Sequence, residues 1–432
     1  MPHLVYLTAG AAGMFCGSCM HDNALAKAIS RHPSWDVTLV PTYTPIRTDD
    51  ANHSIDQVFF GGINVYLQQR IPLFRHLPSI LDRWLDNPGL IRRVTAKASD
   101  TPPKFLGQLA VSMLKGSHGF QKKEVQRLLK WLGDEVKPDF VLLSNVLIGG
   151  CVEDIQSKLK VPVIATLQGD DIFLDSLPEP YRQQAMNLAS QVANRCDGLV
   201  AHSQYYADYM REFLKIERPI EVTPLGIEVG ELKDVPRPPI PEGQPITIGY
   251  LARIAPEKGL HHLIDAFLEL KRRPGTDHVR LSVAGWLGDH RRDWFQQQWK
   301  KLADAGLEKQ AHFAETIDKA QKRDFLAGVD VLCVPTEYQE PKGLFALEAM
   351  ATGAPVVVPS HGAFPEMIQA SGGGLLCPPN DPVGTAECLW QLVVDSQQRQ
   401  QMGAAARQHV AEYRNEGAMA EQMIQLLERY SD

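Results

Sequence analysis

No apolar run in the 432 residues approaches the roughly 20 that a membrane-spanning helix needs, which argues against a spanning protein. A basic excess is lacking too. Lys plus Arg is 44 against 51 Asp plus Glu, a net charge of −7, so a broad nucleic-acid-gripping surface is disfavoured. Cysteine is sparse and odd in number. Cys16, Cys19, Cys151, Cys196, Cys333, Cys377 and Cys388 are too scattered for a disulfide framework. The start of the chain has no basic n-region, and its first apolar stretch is short, so the expectation is a cytoplasmic protein. There is no short-period repeat and no low-complexity tract. A G-x-G-x-x-G fingerprint is also missing. The glycines after the first apolar run stand at 10, 13 and 17, the wrong spacing for a dinucleotide oxidoreductase.

What is present is an alternation of short β-branched runs and amphipathic stretches. Residues 4–8, 36–41, 140–144, 161–166 and 198–203 read as strands, with a helix at 23–30. Near-continuous apolar strands are expected when helices cover both faces of a sheet. A proline-rich stretch at 235–245 (VPRPPIPEGQP) reads as a linker and hinge. A second series follows, with strands at 246–251, 279–284, 311–313, 329–335 and 354–359 and helices such as 260–271 and 291–305. The pattern predicts an α/β protein with parallel doubly wound sheets, in two Rossmann-like domains facing a cleft. The expected division is 1–234, linker 235–245, 246–414, and a C-terminal helix at 415–432 packing back on the first domain.

Residues 70–130 break the alternation and read as a helical insertion in the first domain. They hold twelve Lys/Arg and four acids, +8, which leaves −15 for the rest of the chain. Leu77, Ile80, Leu81, Trp84 and Leu85 could form an amphipathic surface helix suited to a membrane-bound lipid acceptor or an anionic polymer. An acceptor-side cover with solvated charges is the favoured alternative.

The chemistry concentrates in Glu340-Pro341-Lys342-Gly343-Leu344-Phe345-Ala346-Leu347-Glu348. Glu340 would sit in a loop, and Glu348 in a helix begun near Leu344. The amides of Gly343, Leu344 and Phe345 would point out of the helix N-terminus, where they suit anionic or hydroxyl-rich ligands. Arg253 and Lys258 lie five apart after a strand, where they could neutralise a diphosphate. The bland alternatives are a helix-dipole acid and a solvated basic pair. Cys16-x-x-Cys19 lacks a second cysteine pair, so a tight loop of small residues is preferred to a metal or redox role. The other cysteines read as buried fillers.

This sequence resembles the retaining family-4 glycosyltransferases of GT-B fold, which carry an E-x7-E element. The resemblance also rests on Gly249-Tyr250-Leu251-Ala252-Arg253 through Lys258-Gly259-Leu260, Val283-Ala284-Gly285, Pro335-Thr336, Gly353-Ala354-Pro355-Val356-Val357 and His361-Gly362-Ala363-Phe364-Pro365-Glu366. Val200-Ala201-His202-Ser203 and Pro224-Leu225-Gly226-Ile227 resemble the end of the family's first domain. The match is strong over about 195–380 and thinner before it.

The resemblance implies transfer of a hexose from a nucleoside-diphosphate sugar to an acceptor with retention of configuration. Glu340, Arg253 and Lys258 would be catalytic. Gly13, Gly17, Ile317, Gly343, Leu344, Phe345 and Glu348 would complete the donor site, with Glu348 on the ribose. Two positions depart from the family. Lys342 replaces a usual Phe; it could touch an acidic sugar or acceptor, but pointing to solvent is the favoured expectation. Gln168 replaces a usual His and cannot titrate near neutrality. Gln168, Asp170 and Asp171 are acceptor-side candidates, loop capping being the even alternative for the two acids.

No Asp-x-Asp triplet occurs in the chain, so no metal is expected, and no cofactor beyond the donor substrate. The acceptor is a carbohydrate, lipid or small molecule, with no nucleic acid partner. Location is read as cytoplasmic, with peripheral contact at the inner membrane face through 70–130 left open. Two other readings stand: a nucleotide-sugar epimerase, and a non-catalytic nucleotide-sugar-binding module on the same fold. The resemblance to glycogen and starch synthases at Pro41-Thr42-Tyr43 and at 61–66 lacks the lysine those enzymes carry in the first glycine loop.

Overall fold

The computed structural model describes residues 1–10, 17–46, 51–60, 62–71, 73–74, 103–241, 243–316 and 318–431. They form two compact units: residues 1–224 with 419–432, and residues 225–418.

The first unit runs β1 (His3–Thr8), α1 (Gly17–Ile29), β2 (Asp36–Pro41), α2 (Gly62–Arg70), α3 (Pro103–Leu114), α4 (Lys122–Trp131), β3 (Phe140–Leu143), α5 (Val152–Leu159), β4 (Val163–Thr166), α6 (Asp170–Asp175), α7 (Tyr181–Arg195), β5 (Gly198–Ala201), α8 (Gln204–Leu214) and β6 (Glu221–Val222). Its strands lie in the order β2-β1-β3-β4-β5-β6, all parallel. Both faces of this sheet are covered, which explains the unbroken apolar strands. Along β1, Val5 and Leu7 enter one core, while Leu4 and Tyr6 enter the other, as the two-residue period of a strand requires. The basic segment is helical where described, in α3 and α4. Leu77, Ile80, Leu81, Trp84 and Leu85 lie outside the described residues.

The second unit runs β7 (Ile246–Leu251), α9 (Leu260–Lys271), β8 (Val279–Ala284), α10 (Arg292–Asp304), β9 (Ala311–Ala314), α11 (Lys319–Ala327), β10 (Val331–Cys333), α12 (Leu344–Ala351), β11 (Val356–Pro359), α13 (Phe364–Ser371), β12 (Gly374–Cys377), α14 (Pro382–Val394) and α15 (Ser396–Tyr413). The sheet order is β12-β11-β10-β7-β8-β9, all parallel. Both units are Rossmann-like, so the predicted fold class holds. The run read as a strand over 329–335 pairs only at Val331–Cys333, and β6 and β12 were not anticipated.

The last helix, α16 (Glu416–Glu428), begins in the second unit and ends in the first. Met419, Ala420, Met423, Ile424, Leu426 and Leu427 bury against Leu4, Tyr6, Leu142, Ile164 and Val200. The proline-rich stretch carries neither helix nor strand in its described residues. It is nonetheless anchored within the second unit. The Arg237 guanidinium donates to the carbonyls of Leu326 (2.7 Å), Val329 (2.5 Å) and Thr352 (2.8 Å), and to Thr352 Oγ1 (2.6 Å). Those carbonyls lie at or beyond the C-terminal ends of α11 and α12, where acceptors lack in-helix partners. Among the described residues, no helix is long and apolar enough to cross a membrane.

Candidate functional site

In an open parallel sheet, a ligand crevice forms where neighbouring strands send their chains in opposite directions. In the second sheet that point lies between β7 and β10. The segments leaving these two strands carry Arg253 and Lys258 on one side and Glu340 on the other.

Close backbone approach joins the two segments. Gly259 precedes α9 at φ +73°, and a Cβ there would lie 1.7 Å from the Pro335 carbonyl oxygen. Only glycine lets the start of α9 pack so tightly on the chain beyond β10. Lys258 Nζ then reaches Glu340 Oε2 at 2.5 Å, and lies 5.0 Å from the centre of the Tyr338 ring and 6.0 Å from that of Phe345. Its backbone carbonyl accepts from the buried Tyr250 hydroxyl at 3.2 Å.

Glu340 is 6% exposed. Burial pushes its carboxyl pKa up. The Lys258 charge, the bond Lys258 donates, a weak bond from the Gly343 amide and the charge of Lys342 outweigh that, and hold it below the ordinary glutamate value. Glu340 is thus a buried but ionised acceptor. Its carbonyl accepts from the Ala363 amide at 2.9 Å, so the loop between β11 and α13 braces it from behind.

Gly343 caps α12 at φ +69°, and a Cβ there would meet Phe364 Cε1 at 2.9 Å. The chain turns sharply and aims the first-turn amides outward, where they have no in-helix acceptors. Phe345 packs on Phe364 with ring centres 5.9 Å apart. Glu348, one turn further on, pairs through Oε1 with Lys322 Nζ of α11 at 2.7 Å. Arg253 stays apart from the Lys258–Glu340 pair. It is half-exposed and bonds Glu257 at 2.7 Å. Lys342, expected in solvent, is half-buried, and its charge acts on Glu340. Gly13 and Ile317 lie outside the described residues.

In the first unit the corresponding point lies between β1 and β3. A buried network occupies it. Asp22, fully buried, accepts from Tyr6 Oη (2.5 Å), Thr8 Oγ1 (2.6 Å) and Gln168 Nε2 (3.0 Å). Gln168 also donates to the Ser144 carbonyl at 2.6 Å, so it ties β3, β4 and α1 together. Asp170 accepts from the Val146 and Gln168 amides, each at 3.0 Å. Burial pushes its pKa up to about 6, although those bonds pull the other way. Asp171 accepts from Tyr206 Oη at 2.6 Å. Both carboxylates therefore have loop and helix partners within the unit. Gly17 opens α1. Cys19 is buried in the apolar cluster around Leu4, and the other described cysteines are buried or half-buried thiols.

Sequence reasoning missed Asp22, the Lys322–Glu348 pair, and a cluster of His261, His262 and Glu337. A buried acid in an otherwise apolar helix face was a usable signal for Asp22. The Lys322 pairing spans two helices and leaves no local pattern.

Residues 233–409 match the family model described as Glycosyl transferases group 1, and residues 106–231 the model described as Glycosyltransferase Family 4. Glycogen synthase of Mycobacterium tuberculosis (strain H37Rv) is 27% identical over 288 residues, 65% of this chain and 67% of that protein. D-inositol 3-phosphate glycosyltransferase of Corynebacterium efficiens is 30% identical over 167 residues, 38% of this chain and 39% of that protein. The fold is shared with sucrose-phosphate synthase from Thermosynechococcus elongatus (TM-score 0.69, 16% identity, 99% of each chain). It is also shared with Anabaena Alr3699/HepE in complex with UDP (TM-score 0.66, 17% identity, 99% of this chain and 100% of that one). The two glycosyltransferase matches adjoin one another along the chain, and the GT-B fold is held in common along nearly the whole length.

Proposed function

We propose that the protein transfers a hexose from a nucleoside-diphosphate sugar to an acceptor, with retention of configuration and without a metal ion on the diphosphate. The observation that carries this reading is the Lys258–Glu340 pair at the switch point of the second sheet. It sets a cation for the phosphates beside a carboxylate for the sugar.

In this reading Lys258 and Arg253 turn from their carboxylate partners toward the incoming diphosphate. Glu340 and the amides of Gly343, Leu344 and Phe345 orient sugar hydroxyls. Glu348 uses its remaining lone pairs for the ribose hydroxyls, since a carboxylate offers about four acceptor sites. The bond from the anomeric carbon to the diphosphate oxygen breaks, and its electron pair leaves with the diphosphate. The acceptor oxygen attacks on the same face and gives its proton to the departing phosphate oxygen. Catalysis is then orientation plus charge stabilisation. Gln168, Asp170 and Asp171 belong to the acceptor half, where Gln168 acts by holding the Asp22 network.

The test is donor turnover in R253A and K258A, which should fall by about 10²–10³ or more with the circular-dichroism spectrum unchanged. Wild-type-like turnover in both would sink the reading. Donors should be screened by thermal shift, UDP and UDP-sugars first, because one structural neighbour was solved with UDP. An α-glucan belongs among the acceptors tried, given the similarity to a glycogen synthase. The anomeric coupling in the product's proton NMR spectrum reports retention, and EDTA should leave turnover intact. Donor conversion without any acceptor would favour the epimerase. Tight binding with no donor consumption would favour the binding module.

A further inference from the structure

One turn beyond Lys258, the first residues of α9 do something that helix geometry does not supply by default. Neighbours in sequence on a helix point about 100° apart and do not face one another. Here His261 and His262 converge. Their ring centres are 4.1 Å apart, and both Nε2 atoms aim at the same oxygen, Glu337 Oε1, at 2.9 and 3.1 Å. One carboxylate oxygen so collects two imidazole nitrogens from one side. Glu337 follows β10 and is itself held to the other segment, its amide donating to the Glu257 carbonyl at 3.2 Å.

We propose that His261, His262 and Glu337 form a binding site for a divalent transition-metal ion, of which zinc is the representative. The donor set is two imidazole nitrogens and one carboxylate oxygen, the borderline-soft mixture that suits zinc better than magnesium or calcium. Zinc bonds of about 2.0–2.1 Å in a tetrahedron put ligand atoms roughly 3.3 Å apart. The two nitrogen-to-oxygen separations fall a few tenths of an ångström short of that spacing. The three ligand atoms lie within 4.8 Å of one another, so small side-chain adjustments, the carboxylate oxygen moving out and the two imidazole nitrogens keeping to or closing on the same spacing, accommodate the ion. Glu337 is partly exposed, which gives the ion an entry path and leaves the fourth position to water.

The site's place gives it a consequence. His261 and His262 follow Lys258 by three and four residues, and Glu337 precedes Glu340 by three. An ion held by all three clips together the two segments that carry the Lys258–Glu340 pair. It is separate from the donor diphosphate, and turnover is not expected to require it.

The test uses the full-length protein dialysed against EDTA and then against buffer. Zinc chloride is titrated by calorimetry, and the thermal midpoint is followed in parallel. One equivalent should bind saturably and raise the midpoint. H261Q, H262Q and E337Q nearly keep side-chain volume, and each should weaken zinc by more than the roughly 10–100-fold lost with an outer-shell partner. A variant that fails to fold is replaced by E337A, whose side chain is partly exposed. No saturable zinc binding by the wild type overturns the proposal. So does binding that is unchanged in the variants, which would place the ion elsewhere, for example on the thiols.

Discussion

Glu340 shows how one residue can be buried and charged together. Its low exposure disfavours the carboxylate, yet Lys258, 17% exposed at its side chain, keeps it ionised. Removing one partner leaves the other charge poorly solvated, a loss of about 1–3 kcal/mol or more. E340Q should therefore be less stable than wild type at neutral pH, besides losing turnover. The pH dependence has a definite sign. A carboxyl whose folded-state pKa is depressed stabilises the fold above its unfolded value and loses that contribution as pH falls through the folded value. The stability gap between wild type and E340Q should be full at pH 7 and close below the usual glutamate range, about pH 4. Urea denaturation at several pH values measures it. A gap that stays constant with pH would mean that the charge pair is not its source.

At the scale of elements, the surroundings of a left-handed glycine decide what it does, at a helix start or in a turn. Gly259 and Gly275 have similar left-handed φ angles, +73° and +78°, but different surroundings. A Cβ at Gly259 would strike the Pro335 carbonyl, whereas nothing lies within 4 Å of one at Gly275. G275A should cost only the left-handed penalty of about 1–2 kcal/mol. G259A should cost clearly more, and should also weaken nucleoside-diphosphate binding, because the segments after β7 and β10 must part. Equal urea midpoints for the two variants would refute this. Arg237 gives a second case. R237K keeps the charge but loses the planar fork that caps two helices, and should cost about 1–3 kcal/mol in urea midpoint analysis.

The same scale separates what was legible in the sequence from what was not. Strands 36–41, 246–251 and 279–284 agree with the structure residue for residue, because each is a short run rich in β-branched and aliphatic residues bounded by turn-forming or polar ones, a pattern that survives the exposed Asp36 and Arg280. Residues 329–335 were over-read, since Pro335 cannot donate to a ladder and Val329 is buried without pairing. β6 has two half-buried residues, too short for any periodicity to register. Motif spacing pointed to Lys258 and Glu340 separately. Their contact, 82 positions apart, follows from strand order, which no local pattern encodes. The convergence of His261 and His262 depends on side-chain orientation, and adjacent helix positions give no hint of it.

For the molecule as a whole, the two units differ in how the chain completes them. The second unit's main core draws only on residues between Leu225 and Val410, within the continuous stretch 225–418. The first needs the far end of the chain. Met419, Met423, Ile424 and Leu427 fill one face of its sheet, and full burial of each such side chain contributes about 1.5–3 kcal/mol. Four of them together rival the roughly 5–15 kcal/mol by which a typical domain is stable. A fragment 225–418 should therefore fold cooperatively alone, and should bind the nucleoside diphosphate if the donor site is assigned correctly. A fragment 1–224 should expose apolar surface and bind a hydrophobic dye. Fusing residues 416–432 to its C-terminus through a flexible linker should restore a cooperative transition. The result that overturns this account is a cooperative melt of 1–224 alone that matches the fused form, since the last helix would then cover a sheet that does not need it.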